Sequence, residues 1–327
     1  MIKFGVVGTN TITDLVLEGA TLDPRFKLAA VYSRSIERAQ FFASKYGVDQ
    51  IYTDFESMSE VIDAVYIASP NAFHAAQTLF FLKKGIHVLC EKPLCSNTRE
   101  AILMIETARK HRAALMEAMI STLNPNFKAL KENLFRIGTL RKYVASFCQY
   151  SSKYDLLKRG IIDNKFKNEL SNGALMDIGV YPIYPMVALF GKPQSVKAVG
   201  HILSSGVDGS GSALFGYDGM DAVAVYSKIS NSYTYTEIQG EDGSLVLDRI
   251  NIPRQLIFFP RQGTPQDLSA THCGNDYYYE IKEFIDLIES GKWEHEINSY
   301  YHSQTVMELM DEIRSQIGLT YPADTVF

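Results

Sequence analysis

The chain has 327 residues, a formal net charge of −5 and 46% apolar residues. This length exceeds what one hydrophobic core usually supports, so it favours two domains in a protein of ordinary globular composition. The absence of a dense lysine and arginine run argues against nucleic-acid and anionic-membrane partners. No stretch reaches the roughly 18 apolar residues of a membrane span and the N-terminus lacks a signal-peptide layout, so we expect a cytoplasmic protein.

The first third of the chain alternates short apolar runs with segments of helical spacing. Strands are predicted at residues 2–7, 26–32, 64–68 and 87–90, and helices at residues 11–20, 36–46, 72–84 and 98–111. Strands that alternate with helices indicate an α/β Rossmann domain with a doubly wound parallel sheet. The apolar stretch at residues 114–119 closes this domain, which we predict to span residues 1–120 as the dinucleotide-binding domain.

The pattern changes after residue 139, where β-rich runs follow one another across turns that contain Gly, Asp and Asn. Strands are predicted at residues 140–150, 194–203, 212–217, 222–230, 233–239 and 244–247, before two helices at residues 277–289 and 301–317. Consecutive strands joined by short turns indicate a largely antiparallel or mixed open sheet. We therefore predict an α+β substrate-binding domain over residues 121–327.

The turn between the first strand and helix has the place of a phosphate-binding loop, where backbone N–H groups at a helix N-terminus meet a cofactor pyrophosphate. It reads Gly8, Thr9, Asn10, Thr11, Ile12, Thr13. Only the first glycine of GxGxxG is kept. Because asparagine tolerates positive φ, we expect Asn10 to make the turn in place of glycine, and Thr13 is small enough for close helix packing. A glycine at a strand end is often only a turn, but its position after the first strand favours the cofactor.

The end of the second strand indicates which cofactor is preferred. A site for NAD usually has Asp or Glu there to bind the ribose 2′-hydroxyl, whereas this chain has Ser33 and Arg34, with Arg38 one helical turn later. Hydroxyl and guanidinium donors suit a 2′-phosphate, so NADP is favoured over NAD. The alternative is that both arginines are ordinary surface residues beside a helix start.

Lys92 follows a buried strand at its carboxyl end, where open α/β sheets bind their ligands. A lysine there can donate to a substrate oxygen and stabilise developing charge, although an isolated Glu-Lys-Pro tripeptide is more often an exposed turn. The cysteines and histidines form no CxxC, HExxH or similar set, so we expect free thiols and no metal site. The cysteines are Cys90, Cys95, Cys148 and Cys273.

Four segments together resemble the Gfo/Idh/MocA oxidoreductase family, and the resemblance covers nearly the whole chain. Two of them close successive strands of the first domain, as the (T/S)PNxxH and EKP motifs do. The third is similar to the GGGxLxDxGxH/Y segment, and the fourth fits the domain junction. These segments are Ser69-Pro70-Asn71-Ala72-Phe73-His74, Glu91-Lys92-Pro93, the run from Asn172 to Pro182, and Glu117-Ala118 followed by Asn124-Pro125-Asn126-Phe127.

The resemblance implies hydride transfer between a nicotinamide and a secondary alcohol or carbonyl carbon of a sugar, polyol or dihydrodiol-like substrate. It implies that Lys92 polarises the reacting oxygen, Asp177 orients its neighbours and Tyr181 exchanges the proton. A tyrosine in place of the commoner histidine is similar to the branch with dimeric dihydrodiol dehydrogenase and glucose-fructose oxidoreductase. The two strand-closing motifs are implied to contact the cofactor through Ser69, Pro70, Asn71, His74, Glu91 and Lys92.

Other interpretations stay open. Asp177 and Tyr181 also fit an acid near a helix N-terminus and an aromatic core residue. The whole chain also fits a catalytically silent NAD(P)-binding regulator or sensor, or an enzyme that acts on a glycosidic bond through transient oxidation. Residues 150–171 either supply substrate-binding side chains or form a solvated helix. The resemblance further implies a homodimer or higher oligomer through the exposed face of the second sheet.

Overall fold

The computed structural model describes residues 1–325, which form two compact units. The first unit comprises Met1–Met119 and Cys273–Ser303, and the second comprises Ile120–His272 and the described residues from Gln304 onward. The chain therefore leaves the first unit after residue 119, returns to it at residue 273 and leaves it again after residue 303.

The first unit contains a six-stranded parallel sheet in the order β3-β2-β1-β4-β5-β6. Its central strands are nearly continuous apolar runs, as expected where both faces of a sheet are covered. This arrangement confirms the predicted doubly wound sheet. The strands are β1 Ile2–Val7, β2 Phe26–Tyr32, β3 Ile51–Tyr52, β4 Ala64–Ile67, β5 His87–Glu91 and β6 Leu115–Ala118, and the helices are α1 Thr11–Ala20, α2 Ile36–Ser44, α3 Phe55–Ser59, α4 His74–Lys83 and α5 Thr98–His111.

The second unit contains an eight-stranded sheet in the order β14-β13-β12-β11-β7-β10-β9-β8. Only β7 and β10 pair in parallel, so the predicted largely antiparallel or mixed sheet is confirmed. The strands are β7 Leu140–Cys148, β8 Ser195–Ile202, β9 Asp208–Gly216, β10 Asp221–Ser227, β11 Thr236–Gly240, β12 Gly243–Leu247, β13 Leu256–Pro260 and β14 Gln266–Asp267, and the helices are α6 Ile120–Leu123, α7 Pro125–Asn133, α8 Tyr154–Lys158 and α9 Val180–Phe190.

Alternation along the strands gives this sheet one buried and one more exposed face. In β10 the residues Ala222, Ala224 and Tyr226 are buried, whereas Val223 and Val225 are half-buried. The buried face packs against α9 and the turn before it: the Tyr143 hydroxyl of β7 donates to the Pro182 carbonyl at 2.8 Å. The sheet thus holds the segment that carries Asp177 and Tyr181.

The predicted domain boundaries differ from the structure at helix α10, which belongs to the first unit. The sequence assigned residues 121–327 to one domain, but Cys273–Ser303, with α10 at Tyr277–Glu289, belongs to the first unit. The ring of Phe284 packs edge-on to Phe4 of β1 at 6.1 Å. Helical periodicity shows that a helix has a buried face, but not which sheet that face covers. The last helix, α11, spans Tyr300–Ile317.

One helical stretch, Asn168–Phe190, has the length and mean hydropathy (1.4) of a membrane span. Its most apolar 18-residue window is 72% buried within the protein. The core helix of a soluble protein has the same properties, so this stretch is weak evidence for a membrane protein.

Candidate active site

The phosphate-binding turn is held by one glycine and by asparagine side-chain bonds. Gly8 has φ +116°, and a Cβ there would lie 2.6 Å from the Ala68 carbonyl oxygen after β4. Asn10 caps α1, accepting from the N–H groups of Ile12 at 3.1 Å and Thr13 at 3.2 Å, and its Nδ2 donates to Ala68 O at 2.8 Å. The sequence argument that Asn10 uses positive φ is wrong, because its φ is −112° and its role is that of a helix cap.

Thr13 occupies the third glycine position and is completely buried. Its hydroxyl donates to the Gly8 carbonyl at 2.9 Å, so the small side chain packs closely and also closes the turn. Thr9 is half-buried and Thr11 is exposed, and both lie on the rim of the turn. The turn therefore presents an accessible helix N-terminus at the carboxyl edge of the sheet, which fits an anionic ligand.

The arginines after β2 lie near the same edge. Arg34 and Arg38 are exposed, and the Arg34 guanidinium carbon lies 5.9 Å from the ring centroid of Phe73, which follows β4. Ser35 caps α2, accepting from the Arg38 N–H at 3.3 Å, and donates to the Glu37 carboxylate at 2.5 Å. That hydrogen bond lowers the pKa of Glu37. The structure therefore brings together the phosphate turn, Arg34 and the turn after β4.

His74 joins the two strand-closing motifs. Its ring is buried, with Nε2 2.8 Å from the Ser69 carbonyl oxygen and Nδ1 3.0 Å from the Pro93 carbonyl oxygen. Burial lowers the pKa of His74. Both ring nitrogens face protein carbonyl groups, so His74 ties the turn after β4 to the turn after β5. In the same segment Pro70 precedes a short helical turn that contains Asn71.

Glu91 directly precedes Lys92, the lysine predicted from the sequence to be catalytic, and contacts its backbone. Its carboxylate accepts from the Tyr66 hydroxyl at 2.5 Å and from the Lys92 N–H at 3.1 Å. Lys92 itself is half-buried at the end of β5, and the peptide bond between Lys92 and Pro93 is cis. Glu91 thus braces the turn that carries Lys92.

Among the other buried carboxyl groups of the first unit, those of Glu117 and Glu280 have a raised pKa, and sequence reasoning did not single out either as a site residue. Glu117 of β6 accepts from the Leu94 N–H at 2.9 Å, and burial raises the pKa of Glu117 to about 7. Burial, with repulsion from Glu91, raises the pKa of Glu280 on α10 well above its usual range. The available signal was an acid inside a short apolar strand and another on the apolar face of an amphipathic helix.

In the second unit, Asp177 and Tyr181 lie on one helical stretch. Residues Leu175–Gly179 form a π-helical turn that continues into α9, and such turns are frequent at functional sites. The Asp208 carboxylate accepts from the Leu175 N–H at 2.7 Å and so fixes the start of this stretch. The ring of Tyr181 packs edge-on to Phe147 of β7 at 5.1 Å.

One partner of Asp177 is Lys228, which the sequence reasoning missed. Lys228 directly follows β10 and is only 2% exposed, and its Nζ lies 3.0 Å from Asp177 Oδ2. A lysine at the end of an apolar strand was the available signal, but such a residue is usually solvated. Within residues 1–325, no three His, Cys, Asp or Glu side chains are grouped to hold a metal ion.

Comparison with known proteins identifies both units. Residues 2–119 match the oxidoreductase family with the NAD-binding Rossmann fold, and residues 134–246 match the GFO/IDH/MocA C-terminal domain. Over 326 residues, covering 99% of each chain, the protein is 50% identical to the scyllo-inositol 2-dehydrogenase (NADP(+)) IolU of Bacillus subtilis (strain 168). It is 28% identical over 342 residues, 99% of each chain, to trans-1,2-dihydrobenzene-1,2-diol dehydrogenase of Mus musculus.

A solved structure agrees with this assignment. A 3-ketoreductase from Actinomadura kijaniata, crystallised with NADP and TDP-benzene, superimposes with a TM-score of 0.84 at 25% identity, covering 97% of this chain and 98% of that one. The resemblance stated from the motifs is confirmed, as is the predicted class of enzyme. The chain is an NAD(P)-dependent oxidoreductase that belongs to the Gfo/Idh/MocA family.

Proposed function

We propose that this protein is an NADP-preferring dehydrogenase that interconverts a secondary alcohol and a ketone on a cyclic polyol or a sugar. The observation that carries the substrate class is the 50% identity, over the whole length, to an enzyme named scyllo-inositol 2-dehydrogenase (NADP(+)). The observation that supports NADP is the pair of exposed arginines, Arg34 and Arg38, with Ser33 beside them at the end of β2.

The proposed roles follow from the chemistry of alcohol oxidation, which removes a hydride from carbon and a proton from oxygen. When bound, NADP would supply the hydride acceptor for this reaction, or the hydride donor in the reverse direction. Tyr181 exchanges the proton with the substrate oxygen, and the Lys92 ammonium group donates a hydrogen bond to the same oxygen. Because this donor stabilises negative charge as it develops on oxygen, Lys92 contributes most in the transition state. Asp177 orients the polar groups around Tyr181.

Two matched pairs of variants test these roles. Lys92→Ala and Tyr181→Phe are each expected to lower kcat for NADP-dependent oxidation of scyllo-inositol by about 100-fold or more, the usual size of an acid-base contribution. The controls, Lys84→Ala and Tyr301→Phe, alter exposed residues and are expected to keep wild-type kcat. The readout is nicotinamide absorbance, with calorimetry for NADPH and NADH binding.

The outcomes separate the candidate functions. Turnover that is lost in both site variants and kept in both controls supports the dehydrogenase. Tight NADPH binding without turnover on inositols, sugars and dihydrodiols would instead support a regulator or sensor. Failure to bind either dinucleotide would contradict the proposal.

We further propose that the enzyme is cytoplasmic and forms a homodimer or higher oligomer through the more exposed face of the eight-stranded sheet. Val199 of β8 and Leu214 of β9 are 72% and 57% exposed on this unit, which is unusual for strand residues of this kind. Light scattering after gel filtration tests the assembly, and a strict monomer at micromolar concentration refutes it.

A further inference from the structure

Lys228 is a buried cation whose ammonium group makes three contacts, which reach two different parts of the second unit. It is 3.0 Å from Asp177 Oδ2, donates to the Lys165 carbonyl at 2.9 Å and lies 4.8 Å from the ring centroid of Phe166. An ammonium group has three N–H donors, and a buried one is tolerated only when carboxylate, carbonyl or aromatic partners replace water. The three contacts meet this requirement.

The backbone of Lys228 is also fixed on both sides. Its N–H donates to the Gly209 carbonyl at 2.8 Å, and its carbonyl accepts from the Ser151 N–H at 2.9 Å. The ammonium group is therefore carried by a residue that is itself anchored. The anchored backbone and the contacts with Lys165 and Phe166 hold the ammonium group in place beside Asp177.

The same ammonium group connects residues 150–171 to the helical turn Leu175–Gly179, which carries Asp177. Lys165 and Phe166 belong to this segment, and Phe166 is fully buried in a small apolar cluster with Leu157, Leu203 and Val207. The Asp177 side chain remains 33% exposed. One cation thus holds the Asp177 carboxylate and residues 150–171 in one arrangement.

We propose that Lys228 is a positioning residue that fixes the Asp177 carboxylate and locks residues 150–171 against it. The proposal rests on the proposed function, because it assumes that Asp177 serves the dehydrogenase reaction. Lys228 acts through Asp177, so its contribution to turnover disappears once the Asp177 charge is gone. A residue that only stabilises the fold would show no such dependence.

A double-mutant cycle tests this dependence. We would measure kcat for NADP-dependent oxidation of scyllo-inositol in Lys228→Met, Asp177→Asn and the double variant. Lys228→Met is expected to lower kcat about 10- to 100-fold, with the NADPH dissociation constant within about twofold of wild type, and the double variant is expected to be no slower than Asp177→Asn alone. Losses that multiply in the double variant overturn the proposal, as does wild-type kcat in Lys228→Met.

Two controls separate positioning from general damage. Lys142→Met removes a half-buried lysine that pairs with Asp221 on the same sheet at 2.5 Å, and it is expected to keep kcat unchanged. If circular dichroism shows that Lys228→Met does not fold, Lys228→Gln takes its place in the cycle, because it keeps a donor without the charge. Lys228→Arg keeps the charge and is expected to recover part of the lost kcat.

A second readout does not depend on turnover. In urea unfolding, the midpoint shifts of the single variants are expected to sum to more than the shift of the double variant. Additive shifts would show that Lys228 and Asp177 do not interact. One outcome is that the wild-type protein turns over neither scyllo-inositol nor the other inositols and sugars, while the midpoint shifts of the variants are non-additive. This outcome overturns the proposed function, and the catalytic role of Lys228 with it. Turnover with additive midpoints overturns only the positioning proposal.

Discussion

At the scale of single residues, the phosphate turn depends on a position that only glycine fits. Gly8 combines φ of +116° with a backbone carbonyl 2.6 Å from where its Cβ would be. Both features arise from one cause, since the chain must turn sharply beside the end of β4 to bring the start of α1 to the edge of the sheet.

Gly8→Ala is expected to destabilise the protein by about 2 kcal/mol or more, because it adds a clash with the backbone to the cost of a strained φ. Gly47→Ala is the matched control: its φ is +64° and nothing lies within 4 Å of the added Cβ, so only the cost of φ remains. Thermal unfolding of both variants checks this, and equal losses would show that the contact with Ala68 does not matter.

The arginines after β2 make a separate prediction about the cofactor. The double variant Arg34→Ala/Arg38→Ala is expected to weaken NADPH binding at least tenfold and to leave NADH binding within about twofold, since only NADPH carries the 2′-phosphate. Lys27→Ala, an exposed change near the start of β2, serves as control. If calorimetry shows that NADPH and NADH binding are weakened equally, the arginines attract both cofactors by their charge and do not recognise the 2′-phosphate.

At the scale of secondary-structure elements, the start of α1 is determined by the side chain of Asn10. Asn10→Ala is expected to cost about 1 kcal/mol, the usual value of a lost N-cap, and also to free the Ala68 carbonyl. Asn10→Asp keeps the acceptor for the helix N–H groups but removes the donor to Ala68. It is therefore expected to keep the stability that comes from the helix cap and to lose only the part that comes from the bond to Ala68. Urea unfolding distinguishes the two, and no loss in either variant would contradict the cap.

Elements with a strong pattern could be predicted from the sequence, and the others could not. The helices at Thr11–Ala20 and Thr98–His111 match their predicted bounds because each has an asparagine cap and a regular apolar face. Helix α9 was not predicted, since its apolar residues have no polar face and Pro182 and Pro185 interrupt the segment. Burial against the sheet stabilises it nonetheless, which is a tertiary effect.

In the candidate site, too, some residues could be predicted from the sequence and others could not. Residues that belong to motifs, such as Lys92, Asp177 and Tyr181, could be named from the sequence. Their partners could not, because Lys228 lies 51 positions from Asp177 and its neighbours along the chain do not indicate the ion pair. Likewise, only the fold shows that the two ring nitrogens of His74 contact carbonyl groups of the protein.

At the scale of the whole molecule, the buried carboxyl group of Glu117 makes stability depend on pH. Burial raises the pKa of Glu117 from 4.5 to about 7, so the folded state binds this proton more tightly than the unfolded state. The stability that comes from this group is complete below about pH 4.5 and is lost as pH rises through about 7. Between these values the free energy of unfolding decreases with rising pH.

Glu117→Gln is therefore expected to flatten the pH dependence of the free energy of unfolding between about pH 4.5 and 7. Its amide keeps an oxygen acceptor for the Leu94 N–H and has no proton to lose in this range. Urea unfolding at several pH values measures the slope, with Glu60→Gln, a change on the surface, as control. An unchanged slope would show that Glu117 does not titrate in this range.

The return of Cys273–Ser303 to the first unit has a consequence for how the protein is made. A ribosome releases the chain from the N-terminus, so the Rossmann unit cannot be completed until residue 303 has emerged, after most of the second unit. During that interval, the surface of α1 around Gly19 is uncovered, although α10 later packs so closely there that a Cβ added at Gly19 would lie 2.7 Å from Tyr278 N. The nascent first unit therefore stays incomplete, with apolar surface exposed, while residues 120–303, about 180 residues, are translated. This takes about 10 to 40 seconds at ordinary elongation rates. We expect chaperones and aggregation to compete for this partly folded state.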